Sequence, residues 1–360
     1  MAQDQKPVLT IHAQAREVLL PVTVRDKRGN LVATLDKSDF TLTEDGRPQV
    51  IKSLMRETNL PFRLGLLVDT SHSLSGAMEN ERKAADKFVD TMLPAQAKSP
   101  AADADQAFLM HFDREVELLQ DFTPQRDKLH TEIDQMGPTS RSHDDRGGPE
   151  TSDDDRERPR GGSNGTQLYD AIYLASSEVM KPGSGVRNAL VIFSDGADRG
   201  SKETLNDAID AADKANVVVY TIYFKGEQAR GESELPGQRR HGGIGGGWPG
   251  GGGGYPSGGG YPGGGGRRGG DERPSVDGKK IMEQIATRTG GRFFEAKKKD
   301  SLDDIYGQIA EELRGQYLLT YTPDKVDNDG GYHKVALACK KSDWTAVTRQ
   351  GYFTPGGDAQ

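Results

Sequence analysis

The stretch LLVDTSHSLSG (residues 66–76) has a carboxylate, Asp69, at the end of a short apolar run, and three hydroxyl side chains, Thr70, Ser71 and Ser73, within the next four positions. A short apolar run bounded by polar turn residues predicts a buried strand, so the acid and the hydroxyls fall where that strand ends. Carboxylate and hydroxyl oxygens are the donors a hard divalent cation prefers, and Mg²⁺ keeps several waters instead of demanding an all-protein cage. Two further oxygen donors stand in comparable places. GTQLYDAI puts Thr166 just before a helical pattern, and VIFSDG puts Asp195 at the end of a second strongly apolar run. In an open parallel sheet, ligands gather at the carboxyl ends of the strands. Asp69, Ser71, Ser73, Thr166 and Asp195 therefore read as a five-residue oxygen set drawn from three loops. Each piece alone has a plainer reading, because Ser, Thr and Asp ahead of helices commonly serve as N-caps. It is the three pieces together, in order and at strand ends, that point to a metal.

The elements that must position these groups are legible from residue 61 onward. Strand patterns at FRLGLLVD, QAFLMHF, EVELLQDF, NALVIFSDG, VVVYTIYF and GRFFEA alternate with helical ones. Met78, Ala85, Phe88 and Met92 share one helical face, as do Leu168, Ile172, Ala175 and Val179, and Leu302, Ile305, Ile309 and Leu313. Such alternation predicts an α/β fold, a doubly wound and mainly parallel sheet with helices on both faces. Both ends of the chain read differently. Val18 to Leu54 alternates apolar and polar residues, with turn chemistry at Asp26–Asn30 and Glu44–Gly46, and the end returns to strand patterns in GQYLLTYTP, YHKVALAC and WTAVTRQGYF. Neither end has enough strands to stand alone. The expectation is that they pair into one small antiparallel, sandwich-like β-domain (residues 1–59 and 316–355, with a tail at 356–360) into which the α/β domain (60–315) is inserted. Two separate β extensions packed on the α/β body are the alternative. Two segments, 139–164 with mixed charge and 226–274 dominated by glycine, interrupt the α/β pattern and bury almost nothing, so both are expected to be mobile loops. The glycine tract also holds Arg239, Arg240, Arg267 and Arg268 beside Trp248, Tyr255 and Tyr261, a composition compatible with self-association or RNA contact.

The motifs resemble a known family. DTSHS fits the DxSxS signature of von Willebrand factor A domains, GTQLYDAI fits their threonine loop and FSDG their second aspartate loop. FDREVELLQDFTPQRDKLHTEIDQM is similar to the family's second and third strands and the following helix. LTEDGRPQVI, YLLTYTPD and RQGYFTP further resemble a bacterial subgroup, the VWFA-related domain proteins often found in Acidobacteria. The resemblance implies a metal-ion-dependent adhesion site. Ser71, Ser73 and Thr166 would supply direct ligands, and Asp69 and Asp195 would act largely through bound waters. A cation held mostly by neutral hydroxyls keeps much of its charge and an open position, which an Asp or Glu of a protein partner completes. The implied cofactor is Mg²⁺, or else Mn²⁺ or Ca²⁺. One departure is the charged insertion immediately before Thr166.

Bulk properties narrow the function. The 360 residues have a net charge of −8, only 33% hydrophobic residues and 46 glycines. That charge gives no electrostatic reason to seek nucleic acid or anionic lipid. No apolar run is long enough for a membrane helix, and MAQDQKPVLT lacks the features of a secretion signal, although AQDQKP also fits a mature N-terminus. The family's habit points outside the cytoplasm, to a secreted, periplasmic or envelope location. Cys339, the single cysteine, excludes an intramolecular disulfide. Metal-assisted hydrolysis would require a base such as His72 or His111, and neither has a carboxylate orienter at a telling spacing; no glycine run matches a phosphate loop. The expectation is a non-catalytic, cation-dependent protein-binding module. The rival is a structural protein that self-assembles through strand edges of the β-domain, with the metal stabilising or regulating it.

Overall fold

The computed structural model describes residues 17–56, 60–71, 78–93, 104–137, 165–180, 186–224, 277–296, 302–325 and 329–354. Ser73, His72, both interrupting segments and the 356–360 tail lie outside them. Among the described residues no helix is long and apolar enough to cross a membrane.

The central layer is a six-stranded sheet of β5 (Phe62–Asp69), β6 (Gln106–Phe112), β7 (Val116–Thr123), β8 (Arg187–Ser194), β9 (Val217–Phe224) and β10 (Phe293–Ala296). Its order is β10-β9-β8-β5-β6-β7, parallel except for the antiparallel edge strand β7. The interior strands are apolar on both sides because both sides are covered. Phe62, Leu64, Leu66 and Val68 pack with helices α1 (Met78–Met92), α2 (Arg126–Gln135) and α6 (Leu302–Gly315). On the other face Leu67, Leu190 and Ile192 pack with α3 (Leu168–Leu174), α4 (Leu205–Lys214) and α5 (Gly278–Thr289). Gly65 faces this second side, where a Cβ would come within 2.3 Å of the Phe108 ring and 2.4 Å of Leu190. After α3 the backbone widens into a π-helical turn, Ala175–Val179.

The chain leaves β5 toward β6 and β7 on one side, then returns to β8 and continues outward on the other. The boundary between β5 and β8 is therefore the topological switch point, where a doubly wound sheet opens a crevice at its carboxyl ends.

Among the described residues, two antiparallel four-stranded sheets hold the remaining strands. One runs β13 (Trp344–Val347), β1 (Val18–Asp26), β11 (Tyr317–Tyr321), β4 (Ile51–Arg56); the other β14 (Gly351–Phe353), β12 (Tyr332–Cys339), β2 (Phe40–Glu44), β3 (Arg47–Gln49). Both contribute to one apolar cluster including Leu20, Val22, Phe40, Leu42, Leu319 and Tyr352. The first described strand thus lies beside the late strands β11 and β13. WTAVTRQGYF, one β-run in the sequence, is broken at Thr348–Gln350: β13 belongs to one sheet and β14 to the other.

Arginines fasten the sandwich to the α/β layer. Buried Glu312 of α6 accepts from Arg25 of β1 and, at 2.8 Å, from Arg292 just before β10. Arg349 donates to Asn216 Oδ1 at 2.5 Å and to the Leu19 carbonyl at 2.7 Å. Within the α/β domain itself, Arg187 at the start of β8 ties α6 to the segment entering β5, donating to the Leu313 and Leu60 carbonyls at 2.8 and 2.9 Å.

Candidate metal centre

Asp69 ends β5 with its side chain fully buried. Its Oδ1 accepts from the Ser71 amide at 3.0 Å, and its Oδ2 from the Ser194 hydroxyl at 2.7 Å. Desolvation dominates those bonds and pushes the carboxyl up to about 7, helped by the nearby charge of Asp195. Ser194 Oγ in turn accepts from the Gly196 amide at 3.0 Å, tying the loop after β8 to Asp69. Asp195 is half-buried, and its Oδ1 accepts from the Ala197 amide at 3.0 Å. Gly196 has φ +71, and a Cβ there would sit 2.2 Å from the Gly278 carbonyl at the start of α5, so this turn is closed against that helix.

Backbone bonds lace the loops at this edge together. The Thr70 amide donates to the Phe112 carbonyl at 3.0 Å, Gln167 to Asp113 at 2.8 Å, and Arg199 to Thr166 at 3.0 Å. Thr166 is nearly buried, at 6% exposure. The plainer reading, a helix cap, does not describe it. The cap position of α3 is Gln167, with no side-chain cap bond. The first amides of the helix are met from the loop after β8, where Ser201 Oγ accepts from Tyr169 and Asp170 at 3.1 Å each. Asp170 reciprocates by accepting from the Lys202 and Glu203 amides at 2.9 Å. The Thr166 hydroxyl makes no hydrogen bond among the described residues. Four of the five sequence-derived residues thus stand on interlaced loops at the carboxyl edge of the sheet, beside the switch point; the fifth, Ser73, lies outside the described residues.

Glu81, in the first turn of α1, was absent from that set. It is 1% exposed, neither oxygen has a partner, and burial together with the Asp69 charge pushes it up to about 8. Its signal was present in the sequence: three residues after Met78 and four before Ala85, it falls on the helical stripe that packs inward. Neither Asp69 nor Glu81 forms a salt bridge among the described residues. Their uncompensated buried acidity, with Thr166's unused hydroxyl, matches an oxygen-seeking divalent cation.

His111 is buried rather than presented to the edge. Its Nδ1 meets Thr70 Oγ1 at 3.4 Å and its Nε2 meets Glu117 Oε2 of β7 at 3.1 Å, a carboxylate partner that the spacing of the sequence did not reveal.

The sheet order with one antiparallel edge strand, and acids at the ends of the two strands flanking the switch point, make this fold von Willebrand factor A-like. Among solved structures the chain is similar to an aerotolerance-related membrane protein from Bacteroides fragilis, at 14% identity over 70% of this chain and 99% of that one, TM-score 0.42. It is also similar to proximal thread matrix protein 1 of the mussel byssus with a zinc-occupied MIDAS motif, at 11% over 72% and 50%, TM-score 0.43. A third is the vWF domain of the type V pili tip protein Mfa5 from Porphyromonas gingivalis, at 20% over 38% of each chain, TM-score 0.29. No protein-family model matches the chain, and no curated protein sequence does.

Proposed function

We propose that this chain is a non-catalytic, divalent-cation-dependent protein-binding module acting outside the cytoplasm. Ser71, Ser73 and Thr166 bind Mg²⁺, or Mn²⁺ or Ca²⁺ in its place, Asp69 and Asp195 hold its waters and the hydroxyls, and a partner's Asp or Glu completes the shell. The observation that carries this reading is the buried carboxyl of Asp69, held by two serines near the charge of a second buried carboxyl, Glu81, that has no hydrogen-bond partner among the described residues. Such a pair is costly when ionised and alone, and a cation removes the cost. Mostly neutral direct ligands leave that cation charge to offer a partner. At Mg²⁺ one hundred-fold above Kd, binding to the folded state alone stabilises it by about 2.7 kcal/mol. Ser71→Ala with Thr166→Ala is expected to remove that Mg²⁺-dependent gain in denaturation while leaving the metal-free midpoint nearly unchanged. An equal Mg²⁺ gain in wild type and variant would refute the site.

A second reading, assembly through strand edges, draws on β4. It is an edge strand bearing Met55 at 56% exposure, preceded by Val50 at 83%. Unpaired apolar edges template pairing. Sizing in Mg²⁺ and in chelator separates the two: polymers indifferent to the metal favour assembly.

A further inference from the structure

The sandwich holds a second constellation, distant in sequence from the loops just described. Glu44 ends β2, Asp45 starts the turn to β3, and His333 lies on β12, whose Val335 is in register with Glu44. The turn is the two-residue kind that takes left-handed backbone at both positions, Asp45 at φ 48 and Gly46 at φ 78. This brings Asp45 back over β12: its Oδ1 accepts from the Lys334 amide at 2.9 Å, and its Oδ2 meets His333 Nδ1 at 2.9 Å. One ligand atom from each of the three residues lies within 4.8 Å of the other two.

Two buried atoms here lack the partners that burial normally requires. Glu44 is 1% exposed; the hydroxyls of Tyr321 and Tyr352 both donate to its Oε2, while Oε1 has no partner. His333 is 7% exposed; its ring is fixed by Asp45 and stacked on Tyr352 at 5.5 Å, and its Nε2 has no partner. A carboxylate oriented by phenols has the outer support typical of a metal ligand, and an ion seated between the three residues would take the place of the Asp45–His333 hydrogen bond. Asp45 is exposed, which gives an ion a way in.

We propose that Glu44, Asp45 and His333 form a second cation site, selective for a zinc-class divalent ion over Mg²⁺. Mixed imidazole and carboxylate donors favour zinc and its neighbours, whereas Mg²⁺ favours oxygen alone. Ligands at about 2.1 Å from a tetrahedral ion stand ~3.4 Å apart, so from separations within 4.8 Å occupancy asks the side chains to close in on the ion.

The test uses the full chain carrying Thr166→Ala and Asp195→Ala, which silences the Mg²⁺ centre and makes failure there distinguishable from failure here. Zn²⁺ is titrated against a chromophoric chelator. One Zn²⁺ per chain is expected, with affinity falling at least ten-fold in Asp45→Asn and at least a hundred-fold in His333→Gln. Asp45 is exposed, so its variant tests the site even where loss of His333 unfolds the sandwich, which circular dichroism of each apo protein monitors. Absence of Zn²⁺ uptake, or uptake that both variants leave unchanged, overturns the proposal.

Discussion

Replacing Glu81 with glutamine isolates the cost of a buried acid beside the metal centre. An acid whose folded value is raised leaves the native state holding a proton the unfolded chain has already lost. Stability then falls as pH rises from the unfolded value toward the folded one. For Glu81 that window runs from 4.5 to about 8. At about 1.4 kcal/mol per factor of ten the ceiling is ~5 kcal/mol. Relaxation and water entry around a buried charge reduce it, so ~2–3 kcal/mol is the working expectation. Asp69 and Asp213, each pushed up to about 7 by burial, slope the same way. His130, raised by Asp86 and Asp90 against its own desolvation, contributes stability that is lost as pH climbs past its folded value. These groups are shared by both proteins, so the difference between them reports Glu81 and its coupling to Asp69. Urea denaturation followed by circular dichroism in chelator, from pH 5 to 8.5, should show Glu81→Gln gaining ~2–3 kcal/mol on wild type across the range. Saturating Mg²⁺ should flatten the wild-type slope, because a cation favours the ionised form. A difference between the two proteins that is the same at pH 5 and pH 8.5 would refute the reasoning.

Gly196→Ala combines a left-handed φ with a Cβ 2.2 Å from the Gly278 carbonyl. It should cost at least ~2 kcal/mol in denaturation and weaken Mg²⁺ binding several-fold by displacing Asp195. Gly65→Ala drives a methyl into Phe108 and Leu190 and should cost ~2–3 kcal/mol, with Mg²⁺ affinity per folded molecule unchanged. Glu312→Ala leaves Arg25 and Arg292 without their shared acceptor; a loss of ~3–5 kcal/mol is expected, read as a lowered urea midpoint.

The sequence made the α/β layer readable because strands covered on both faces must be apolar along their length. VVVYTIYF and FRLGLLVD therefore coincide with β9 and β5. The candidate ligands were legible because oxygen donors at strand ends stand out against those runs, and Asp69, Ser71, Thr166 and Asp195 stand on loops at the carboxyl edge of the sheet. What escaped had physical reasons. Glu81 falls on the inward stripe of α1, but an acid among apolar members reads as a break in that stripe, and its nearness to the charge of Asp69 is set by tertiary packing that helix periodicity does not encode. Glu117 lies six residues from His111, on a neighbouring antiparallel strand, a pairing set by the β6–β7 register. The break in WTAVTRQGYF comes from Arg349, a charged residue buried at 8% exposure because it reaches across to Asn216 and Leu19. Strand propensity cannot see a residue that leaves one sheet to fasten another.

The placement of those fastenings bears on how the molecule works. Asn216, which meets Arg349, immediately precedes β9, and Glu312, which meets Arg25, belongs to the last turn of α6. Gln350 donates to the Arg288 carbonyl near the end of α5 at 3.0 Å, and Gly290, at φ +81, lets Arg349 approach where a Cβ would come within 2.4 Å of its amide. All are at the amino ends of the parallel strands or the carboxyl ends of the helices. Asp69, Thr166 and Asp195 are at the opposite edge. Arg25, Arg349 and Gln350 thus bond the sandwich to the end of the sheet that the proposed metal does not use. On the proposed function, a partner's carboxylate would reach the cation at the edge opposite these bonds, and the second proposed cation site, at Glu44, Asp45 and His333, would be occupied independently of it.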